Sequence, residues 1–435
     1  MSISGEVPAG EGSDGEEVFI NEEDIIHEIP IDEEDLPDRD DDEDDDGMGD
    51  MQEDDSQYAF RAHTGKRDIR CGMQPYRGIT CGFWRKDDRG FLWKIGSAED
   101  VLELADEIFA VACSPTDASL VASGGKDDRG FLWKIGSAED VLELAGHTDT
   151  VCTVAFSSDG NLLASGSFDG RINVWNTATR TLQGTLEGSG SGFEWLKWHP
   201  RGHLIIAGSE DCNLWMWNAD HNAILNTFAG HSSTVTCGDF TPDGKLICTG
   251  SDDASLRIWD PRTAQSRHVV RGHGYHTDGL TCLSVTSDSQ TIVSGSKDNS
   301  VCVVNINSGQ VVGSLDGHTG SIECVGISPS YNWVATGSMD QKLIIWDLGR
   351  QSIRCTCNHD EGVTSLAWLG PSRFVASGCI DGMVRIWDSL SGECVRAFAG
   401  HGDVVQSLAV SADGNSIVSV STDGSALIFD ISMFK

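Results

Sequence analysis

The chain has 435 residues, of which 68 are acidic and 30 basic, and its formal net charge is −38. Nucleic acids and anionic membranes are bound by clustered lysine and arginine, so this balance argues against both and favours a neutral or basic protein partner. A prior of about 150 residues per domain would give roughly three domains, but the charge is distributed too unevenly for three similar globules.

Residues 1–56 hold 25 of the acidic residues and a single basic one, Arg39. Such a segment buries too little apolar surface to offset the entropy of ordering it, so we predict a disordered acidic N-terminal tail. Within it, residues 18–20 and 25–31 mix apolar and acidic side chains in the manner of a short docking motif. A solvated acidic spacer is the alternative interpretation.

The sequence shows no basic segment followed by an apolar one at its N terminus, and no apolar run approaches the roughly 18 residues that a bilayer span requires. We therefore expect no membrane insertion and a cytoplasmic location, with the nucleus as a further compartment. The 14 cysteines are spread singly without a Cys-x-x-Cys pair. This distribution is typical of packed thiols in strands and not of disulfides or metal ligands.

From residue 57 onward the sequence repeats with a period close to 42 residues. Eight units end in an aromatic or apolar residue followed by Asp, Asn or Lys, and these marks are spaced by 41–45 residues. An aspartate lies six residues before each mark, and Gly-His or a degenerate form of it opens each unit. Alternating apolar segments between Gly and Asp turns indicate β-strands. The marks are Trp133, Trp175, Trp217, Trp259, Val304, Trp346, Trp387 and Phe429.

This pattern resembles the WD-repeat family, which implies an all-β fold: an eight-bladed WD-repeat β-propeller over residues 57–435. A four-stranded unit has two apolar faces and cannot bury both alone, so units must stack until the ring closes. In the family, the opening histidine, a Ser or Thr, the turn aspartate and the strand tryptophan form a hydrogen-bonded set in each blade. Carried over here, the sets are His147 with Ser165, Asp169 and Trp175; His231 with Thr249, Asp253 and Trp259; His276 with Asp298; His318 with Thr336, Asp340 and Trp346; and His359 with Ser377, Asp381 and Trp387.

A His/Ser/Asp array that recurs in blade after blade is structural, because an enzyme does not need its active site several times. Phosphate-loop, Gly-x-Ser-x-Gly and His-Glu-x-x-His signatures are absent from the sequence. His199 and His203 lie in a predicted turn without a third metal ligand. We therefore expect no catalytic residue, no cofactor and no metal, and a monomeric platform that binds other proteins.

The family pattern also implies how the ring closes. Residues 57–61 precede His63 as an outer strand should, so we predict that they complete the last blade. Lys86 to Ala105 repeat Lys126 to Ala145 without a difference. Deleting residues 65–105 joins Thr64 to Asp106 and reproduces the opening of the next unit, so we interpret 65–105 as an irregular insertion with a partly formed hairpin. The alternative is a ninth blade.

A narrower resemblance is carried by residues 192–200, with the sequence GFEWLKWHP, by residues 214–217, LWMW, and by the acidic leader around residues 23–26. These segments are similar to the angio-associated migratory cell protein family. In that family, fungal members escort a newly made basic protein of the large ribosomal subunit, and animal members are linked to cell migration and signalling. We therefore expect a non-catalytic scaffold that escorts a basic client such as a large-subunit ribosomal protein.

Carboxylates that follow the opening marks would form a ring on one face of such a propeller and attract a Lys/Arg-rich segment. Asp or Thr-Asp after Gly-His is also ordinary turn chemistry. The candidate partner-binding residues are Asp106, Glu107, Asp149, Asp278, Asp360, Glu361 and Asp403.

An alternative function is that of a substrate receptor of a cullin-type ubiquitin ligase. Trp259, Asp260 and Arg262 resemble the Trp-Asp-x-Arg box by which some WD proteins dock the ligase adaptor. A signalling or cell-migration scaffold is the remaining alternative.

Overall fold

The computed structural model describes the backbone at residues 83–86, 89–92 and 99–103 and the whole chain from residue 106 to residue 435. Side chains are described from residue 106 onward, except at positions 138 and 139. The acidic tail of residues 1–56 and the strand predicted at residues 57–61 lie outside the described residues.

The described residues fold almost entirely as β-strands. Strands β1 (Phe83–Lys86) and β2 (Arg89–Leu92) pair with each other in a two-stranded sheet. All the other strands belong to eight four-stranded antiparallel sheets, the blades of a propeller. A 3₁₀ turn at Ser432–Phe434 is the one helical segment in this part of the chain, which therefore contains no helix with the length and apolarity of a membrane span.

The first four blades follow one another along the chain. Blade one has β4 (Ile108–Cys113), β5 (Leu120–Gly125), β6 (Gly130–Lys134) and β7 (Ser137–Leu144). Blade two has β8 (Val151–Phe156), β9 (Leu162–Ser167), β10 (Ile172–Asn176) and β11 (Thr181–Leu186). Blade three has β12 (Phe193–Trp198), β13 (Leu204–Ser209), β14 (Asn213–Asn218) and β15 (Ala223–Ala229). Blade four has β16 (Cys237–Phe240), β17 (Ile247–Gly250), β18 (Leu256–Asp260) and β19 (Gln265–Val270).

The second half repeats this order. Blade five has β20 (Leu280–Val285), β21 (Thr291–Ser296), β22 (Val301–Asn305) and β23 (Gln310–Ser314). Blade six has β24 (Ile322–Ile327), β25 (Trp333–Ser338), β26 (Lys342–Asp347) and β27 (Ser352–Asn358). Blade seven has β28 (Val363–Trp368), β29 (Phe374–Cys379), β30 (Val384–Asp388) and β31 (Cys394–Phe398). Blade eight has β32 (Val405–Val410), β33 (Ser416–Ser421), β34 (Ser425–Asp430) and, as its outer strand, β3 (Glu99–Glu103).

The first strand of each blade is the inner one. These inner strands contact one another in chain order, and β32 of blade eight contacts β4 of blade one, so the ring is closed. The second strand is the most buried: every residue of β9 is buried, whereas β11, the outer strand of the same blade, begins with three exposed residues.

The hydrophobic core lies between neighbouring blades. Val174 of blade two packs in one cluster with Leu196 of blade three, and Trp133 of blade one packs with Val418 of blade eight. Four tryptophans are almost fully buried in such clusters: Trp133, Trp217, Trp259 and Trp346. Because each blade buries its faces on two neighbours, no blade is expected to be stable by itself.

Among the described residues β3 occupies the outer position of blade eight, the place that the sequence predicts for residues 57–61, which lie outside the described part. Val101 pairs with Leu427, and Leu102 pairs with Ala426. The physical reason is the internal copy: residues 86–105 repeat the hairpin of β6 and β7, whose second strand is itself an outer strand. The segment 65–105 is therefore not irregular throughout, and its described strands form no ninth four-stranded blade.

Candidate functional site

One end of the propeller gathers two loops from every blade. The first loop leads into the inner strand, and the second joins the second and third strands. In all eight blades the amide of the residue before the turn aspartate donates to the carbonyl of a residue just before the inner strand, at 2.9–3.1 Å; Lys126 to Glu107 and Lys297 to Gly279 are examples. We call this end the upper face.

Beneath the upper face the predicted histidine sets hold these loops in place. In blade six, Trp346 Nε1 donates to Thr336 Oγ1 at 2.7 Å, and the same hydroxyl lies 2.8 Å from His318 Nε2. The other ring nitrogen, His318 Nδ1, lies 3.0 Å from Asp340. The set therefore runs without a break from the strand tryptophan to the turn aspartate.

Blade two repeats the arrangement. Trp175 Nε1 donates to Ser165 Oγ at 3.2 Å, and His147 Nε2 lies 2.9 Å from the same hydroxyl. His147 Nδ1 lies 3.0 Å from Asp169, which also accepts a hydrogen bond from the Thr148 amide. Ser165 is fully buried, and only 4% of the Asp169 side chain is exposed. Neither residue can contact a partner, so both belong to the fold and not to the binding face.

Blade four has the same geometry. Trp259 Nε1 donates to Thr249 Oγ1 at 2.8 Å, and His231 Nε2 also lies 2.8 Å from that hydroxyl. His231 Nδ1 lies 3.1 Å from Asp253. The hydroxyl of Ser255 adds a further contact, at 2.6 Å from Asp253.

The other blades modify this set. In blade five, where Val304 replaces the tryptophan, Tyr275 supplies the hydroxyl that contacts Ser294, and His276 contacts the same serine and Asp298. In blade three, Ser189 takes the place of the histidine and lies 3.1 Å from Asp211.

In blade seven the predicted contact between His359 and Asp381 does not form. His359 lies 2.8 Å from Ser377, to which Trp387 also donates, but its Nδ1 faces the carbonyl oxygen of Cys357. Asp381 is instead held by the guanidinium of Arg385 at 2.6 Å. The arginine outcompetes the histidine because it is always charged and makes two hydrogen bonds to the carboxylate.

Burial disfavours the charged form of four of the buried histidines. It lowers the pKa values of His231, His276 and His318, and burial followed by the nearby Arg385 lowers the pKa of His359 to about 4. Burial by itself would raise the pKa of Asp298, but hydrogen bonds from Ser300 and from the Thr277 amide lower it to about 2. These groups therefore form structural hydrogen-bond networks beneath the loops of the upper face.

The seven predicted partner-binding carboxylates all lie in the loops of the upper face. Six are exposed, and Glu107 is partly buried in an ion pair with Lys126 at 2.8 Å. Four of the aspartates accept a hydrogen bond from the next amide, at 2.7–3.0 Å, and so also shape their loops. These four are Asp106, Asp149, Asp278 and Asp403.

Sequence reasoning missed a further acidic cluster on blades three to six. Glu194 is the second residue of β12, and burial, then the charges of Glu210 and Asp252, raise its pKa. Lys297 pairs with Asp252 at 2.7 Å and interacts electrostatically with Asp278 and Glu323. We call Glu194, Glu210, Asp252 and Glu323 the acidic cluster.

A departure from the repeat could have revealed two members of this cluster. In blades two, five and seven the second inner-strand residue donates a hydrogen bond to a carbonyl of the next blade, as Cys152 does to Phe193 at 2.7 Å and Thr364 to Val405 at 2.5 Å. A carboxylate cannot donate such a bond. The glutamates at positions 194 and 323 therefore replace a structural contact with a charge at the upper end of the inner strands.

Apolar side chains complete the upper face. Phe168 and Met339 stand immediately before their turn aspartates and are 37% and 46% exposed. Met339 and Ile380 both lie against Gly362. The face therefore combines carboxylates with apolar contacts, which suits a polypeptide with basic and apolar side chains.

The tryptophans of blade three are core residues. Trp195 and Trp198 are each less than 10% exposed, and their indole nitrogens donate at 2.8 Å to Val235 and Ala155 in the neighbouring blades. His203 bridges Asp159 and Asp220. No group of three His, Cys, Asp or Glu side chains in the described part of the chain is arranged to hold a metal ion.

The residues of the ligase-adaptor alternative divide between core and surface. Trp259 is buried and donates to Thr249. Asp260 accepts hydrogen bonds from the Arg262 amide and from the Arg267 guanidinium, both at 3.0 Å. The side chain of Arg262 is exposed.

The comparisons with known proteins agree with this architecture. The family model described as "WD domain, G-beta repeat" matches residues 138–176, 180–218, 222–260, 264–305, 309–347, 350–388 and 392–430. Angio-associated migratory cell protein from Homo sapiens, and likewise from Canis lupus familiaris, is 30% identical over 177 residues, which cover 37% of this chain and 41% of the relative. The match thus spans about two fifths of the length of these curated relatives.

Solved structures show the same fold. The computationally designed Ika8 protein is 26% identical with a TM-score of 0.66, over 76% of this chain and 99% of that one. Sqt1 of Chaetomium thermophilum, crystallised with the N-terminus of the ribosomal protein L10, is 24% identical with a TM-score of 0.70, over 75% of this chain and 97% of that one. The chain belongs to the WD-repeat family, and its described residues form an eight-bladed propeller.

Proposed function

We propose that this protein escorts a basic client, with large-subunit ribosomal proteins as the client class, and that it binds a Lys/Arg-rich segment across the upper face. The observation that carries the proposal is the acidic cluster. Burial, then the charges of Glu210 and Asp252, raise the pKa of Glu194, and the charge of Lys297 opposes this shift. A lysine or arginine of a client placed among them would relieve this repulsion.

The neighbouring apolar surface adds a second contact. Met339 and Ile380 offer an apolar platform on blades six and seven, beside the exposed Asp360 and Glu361. A client segment that alternates basic and apolar residues could place a cation in the acidic cluster and an apolar side chain on this platform. The likeness to Sqt1, which was crystallised with the N-terminus of a ribosomal protein, supports this class of client.

A peptide-binding measurement tests the proposal. The probe is a fluorescent peptide of about 20 residues from the N-terminus of the organism's own ribosomal protein L10, compared with a version in which alanine replaces Lys and Arg. We expect the full chain to bind the first peptide and not the second, with an affinity that falls as salt increases. The double variant Glu194→Gln/Glu210→Gln should weaken binding at least about tenfold, since each charge-assisted contact contributes roughly 1.5–3 kcal/mol.

The matched control is Glu393→Gln, which removes an exposed carboxylate from the turn before outer strand β31, away from the upper-face loops. It should leave the affinity unchanged. Equal loss in the control and in the double variant would reduce the effect to net charge, and an unchanged double variant would refute the proposed site.

The exposed side chain of Arg262 favours the ligase-receptor alternative as a second candidate. Purification of the tagged chain from cells at low salt separates the two functions. A ligase adaptor that is lost on Arg262→Ala, together with an unaffected basic peptide, would support the receptor. A basic ribosomal protein that is lost at high salt and retained by Arg262→Ala would support the escort. Recovery of neither partner would leave a general signalling or cell-migration scaffold.

A further inference from the structure

Lys297 is a cation that the protein itself places among the carboxylates of the acidic cluster. It stands immediately before the turn aspartate of blade five, and its Nζ donates to Asp252 of blade four at 2.7 Å. The Lys297 side chain is 49% exposed and that of Asp252 is 32% exposed. This ammonium therefore occupies a position that the proposed client would approach with an ammonium or guanidinium of its own.

The residue before the turn aspartate has a regular place in the repeat. In blade two Phe168 lies against Gly192, the glycine before the inner strand of blade three. In blade six Met339 lies in the same way against Gly362, before the inner strand of blade seven. Residues at this position therefore lie over the junction with the next blade.

Blade four places a carboxylate at this junction. Asp252 lies against Gly279 of blade five, where the carboxylate leaves no room for a Cβ. The carbonyl of the same glycine accepts a hydrogen bond from the Lys297 amide at 2.9 Å. The backbone of Lys297 is thus anchored beside the carboxylate that its side chain binds. Because a flexible methylene chain separates the ammonium from this backbone, the ammonium can leave Asp252 while both loops stay in place.

Lys297 interacts with more carboxylates than the one it contacts. The hydrogen bond to Asp252, and then the charges of Asp252, Asp278 and Glu323, raise its pKa. Its own charge acts in return on Glu194 of blade three. Blade five lies between blades four and six, so this ammonium has Asp252 on one side and Glu323 on the other.

We propose that Lys297 is an internal competitor for the acidic cluster: its ammonium holds Asp252 in the free protein, and a cationic side chain of the client displaces it toward Glu323. The inference rests on the proposed function, and it names the residue that limits the affinity for a basic client. Exposed ion pairs are weak, so a client can break this contact at little cost. When the client leaves, Lys297 pairs with Asp252 again, and the competition favours release, which an escort requires.

Two substitutions of Lys297 distinguish displacement from a simple effect of charge. Lys297→Met removes the competitor and should tighten binding of the fluorescent L10 peptide at least about threefold at about 0.15 M salt, as expected for loss of an exposed ion pair. Lys297→Arg keeps the charge, but a guanidinium can hold the Asp252 carboxylate in a bidentate contact, so binding should weaken at least about twofold. Equal affinities of the arginine variant and the parent chain would overturn the proposal.

Lys126 supplies the matched controls. It stands before the turn aspartate of blade one, is 52% exposed and donates to Glu107 at 2.8 Å. It therefore has the same position in the repeat and a similar ion pair, but outside blades three to six. Lys126→Met and Lys126→Arg should each change the affinity less than about twofold, because salt screens exposed charges outside the cluster. Shifts as large as those of the Lys297 variants would reduce the effect to net charge and overturn the proposal.

The same measurements separate this inference from the proposed function. A parent chain that does not bind the peptide would refute the proposed function and the competitor together. Binding that depends on Glu194 and Glu210, but is equal in the parent chain and in both Lys297 variants, would refute the competitor alone.

Amine labelling reports the displacement directly. The parent chain is treated with an acetylating reagent with and without saturating peptide, and the modification of Lys297 is followed by mass spectrometry. Release from Asp252 removes the interaction that keeps this amine protonated, so Lys297 should react at least about twofold faster in the complex. Unchanged or slower acetylation of Lys297 in the complex would contradict displacement.

Discussion

The hydroxyl of Thr336 connects the structural set of blade six, and its removal gives a sharp prediction. His318 is neutral because burial lowers its pKa. Its Nδ1–H donates to Asp340, so its Nε2 accepts a hydrogen bond from Thr336 Oγ1, which in turn accepts one from Trp346 Nε1. Replacing Thr336 by valine keeps the shape of the side chain but leaves the indole N–H and the imidazole nitrogen buried without partners.

Each buried polar group left unpaired costs about 1–3 kcal/mol, so Thr336→Val should lower the free energy of unfolding by about 2–6 kcal/mol. Thr336→Ser is the matched control, because it keeps the hydroxyl and loses one methyl group, worth about 1 kcal/mol. Both variants are compared with the parent chain in urea and thermal unfolding followed by circular dichroism. A valine variant that is no less stable than the serine variant would refute the idea that the hydrogen bonds of the Thr336 hydroxyl, and not its packing, stabilise this set.

Three further outcomes are expected. Trp346→Ala should cost roughly 3–5 kcal/mol and lower Tm, because the indole is almost fully buried between blades five and six; an unchanged Tm would contradict the packing. Below pH 6.5 the unfolded chain protonates His359 and the folded protein does not do so until about pH 4, so acid unfolding should be shallower in His359→Gln by about 1.4 kcal/mol per pH unit over that range; equal slopes would contradict it. Removing residues 1–56 should slow association with a basic peptide at low salt and have little effect at about 0.5 M salt, measured by stopped-flow fluorescence; a tail that contributes nothing at either salt would be only a spacer.

The sequence was sufficient to predict the number of blades and most of the histidine sets. Residues such as Trp346 and Asp340 stand at the same position in each repeat. Eight repeats with nearly the same spacing therefore identify the equivalent residues of each histidine set. A set can also keep its hydrogen bonds when one member is replaced. In blade five Val304 stands in place of the tryptophan, and the Tyr275 hydroxyl contacts Ser294 instead of an indole N–H. Repetition makes such features predictable because each copy is constrained by the same two neighbours.

Two kinds of feature escaped sequence reasoning. Residues 57–61 and 99–103 both have the sequence pattern of an outer strand. Which of them pairs with β34 depends on the length of the connection to blade one and on the register, and the pattern of apolar residues contains neither. The contact of Asp381 with Arg385 in place of His359 is a competition between two side chains for one carboxylate. Its outcome depends on side-chain geometry and not on spacing along the chain.

The acidic cluster shows how a repeat fold separates stability from recognition. The histidine sets lie below the loops and fix their backbone, so the side chains above them can vary without loss of the fold. Glu194 and Glu323 go further, because they occupy positions where other blades use a donor such as Cys152 or Thr364 to connect adjacent inner strands. Giving up that contact leaves a partly buried carboxylate among like charges, and a cation from another molecule would supply the missing interaction. Restoring the donor with Glu194→Thr should therefore stabilise the free protein and weaken its hold on a basic peptide, whereas a variant that loses both stability and affinity would show that the glutamate is part of the fold.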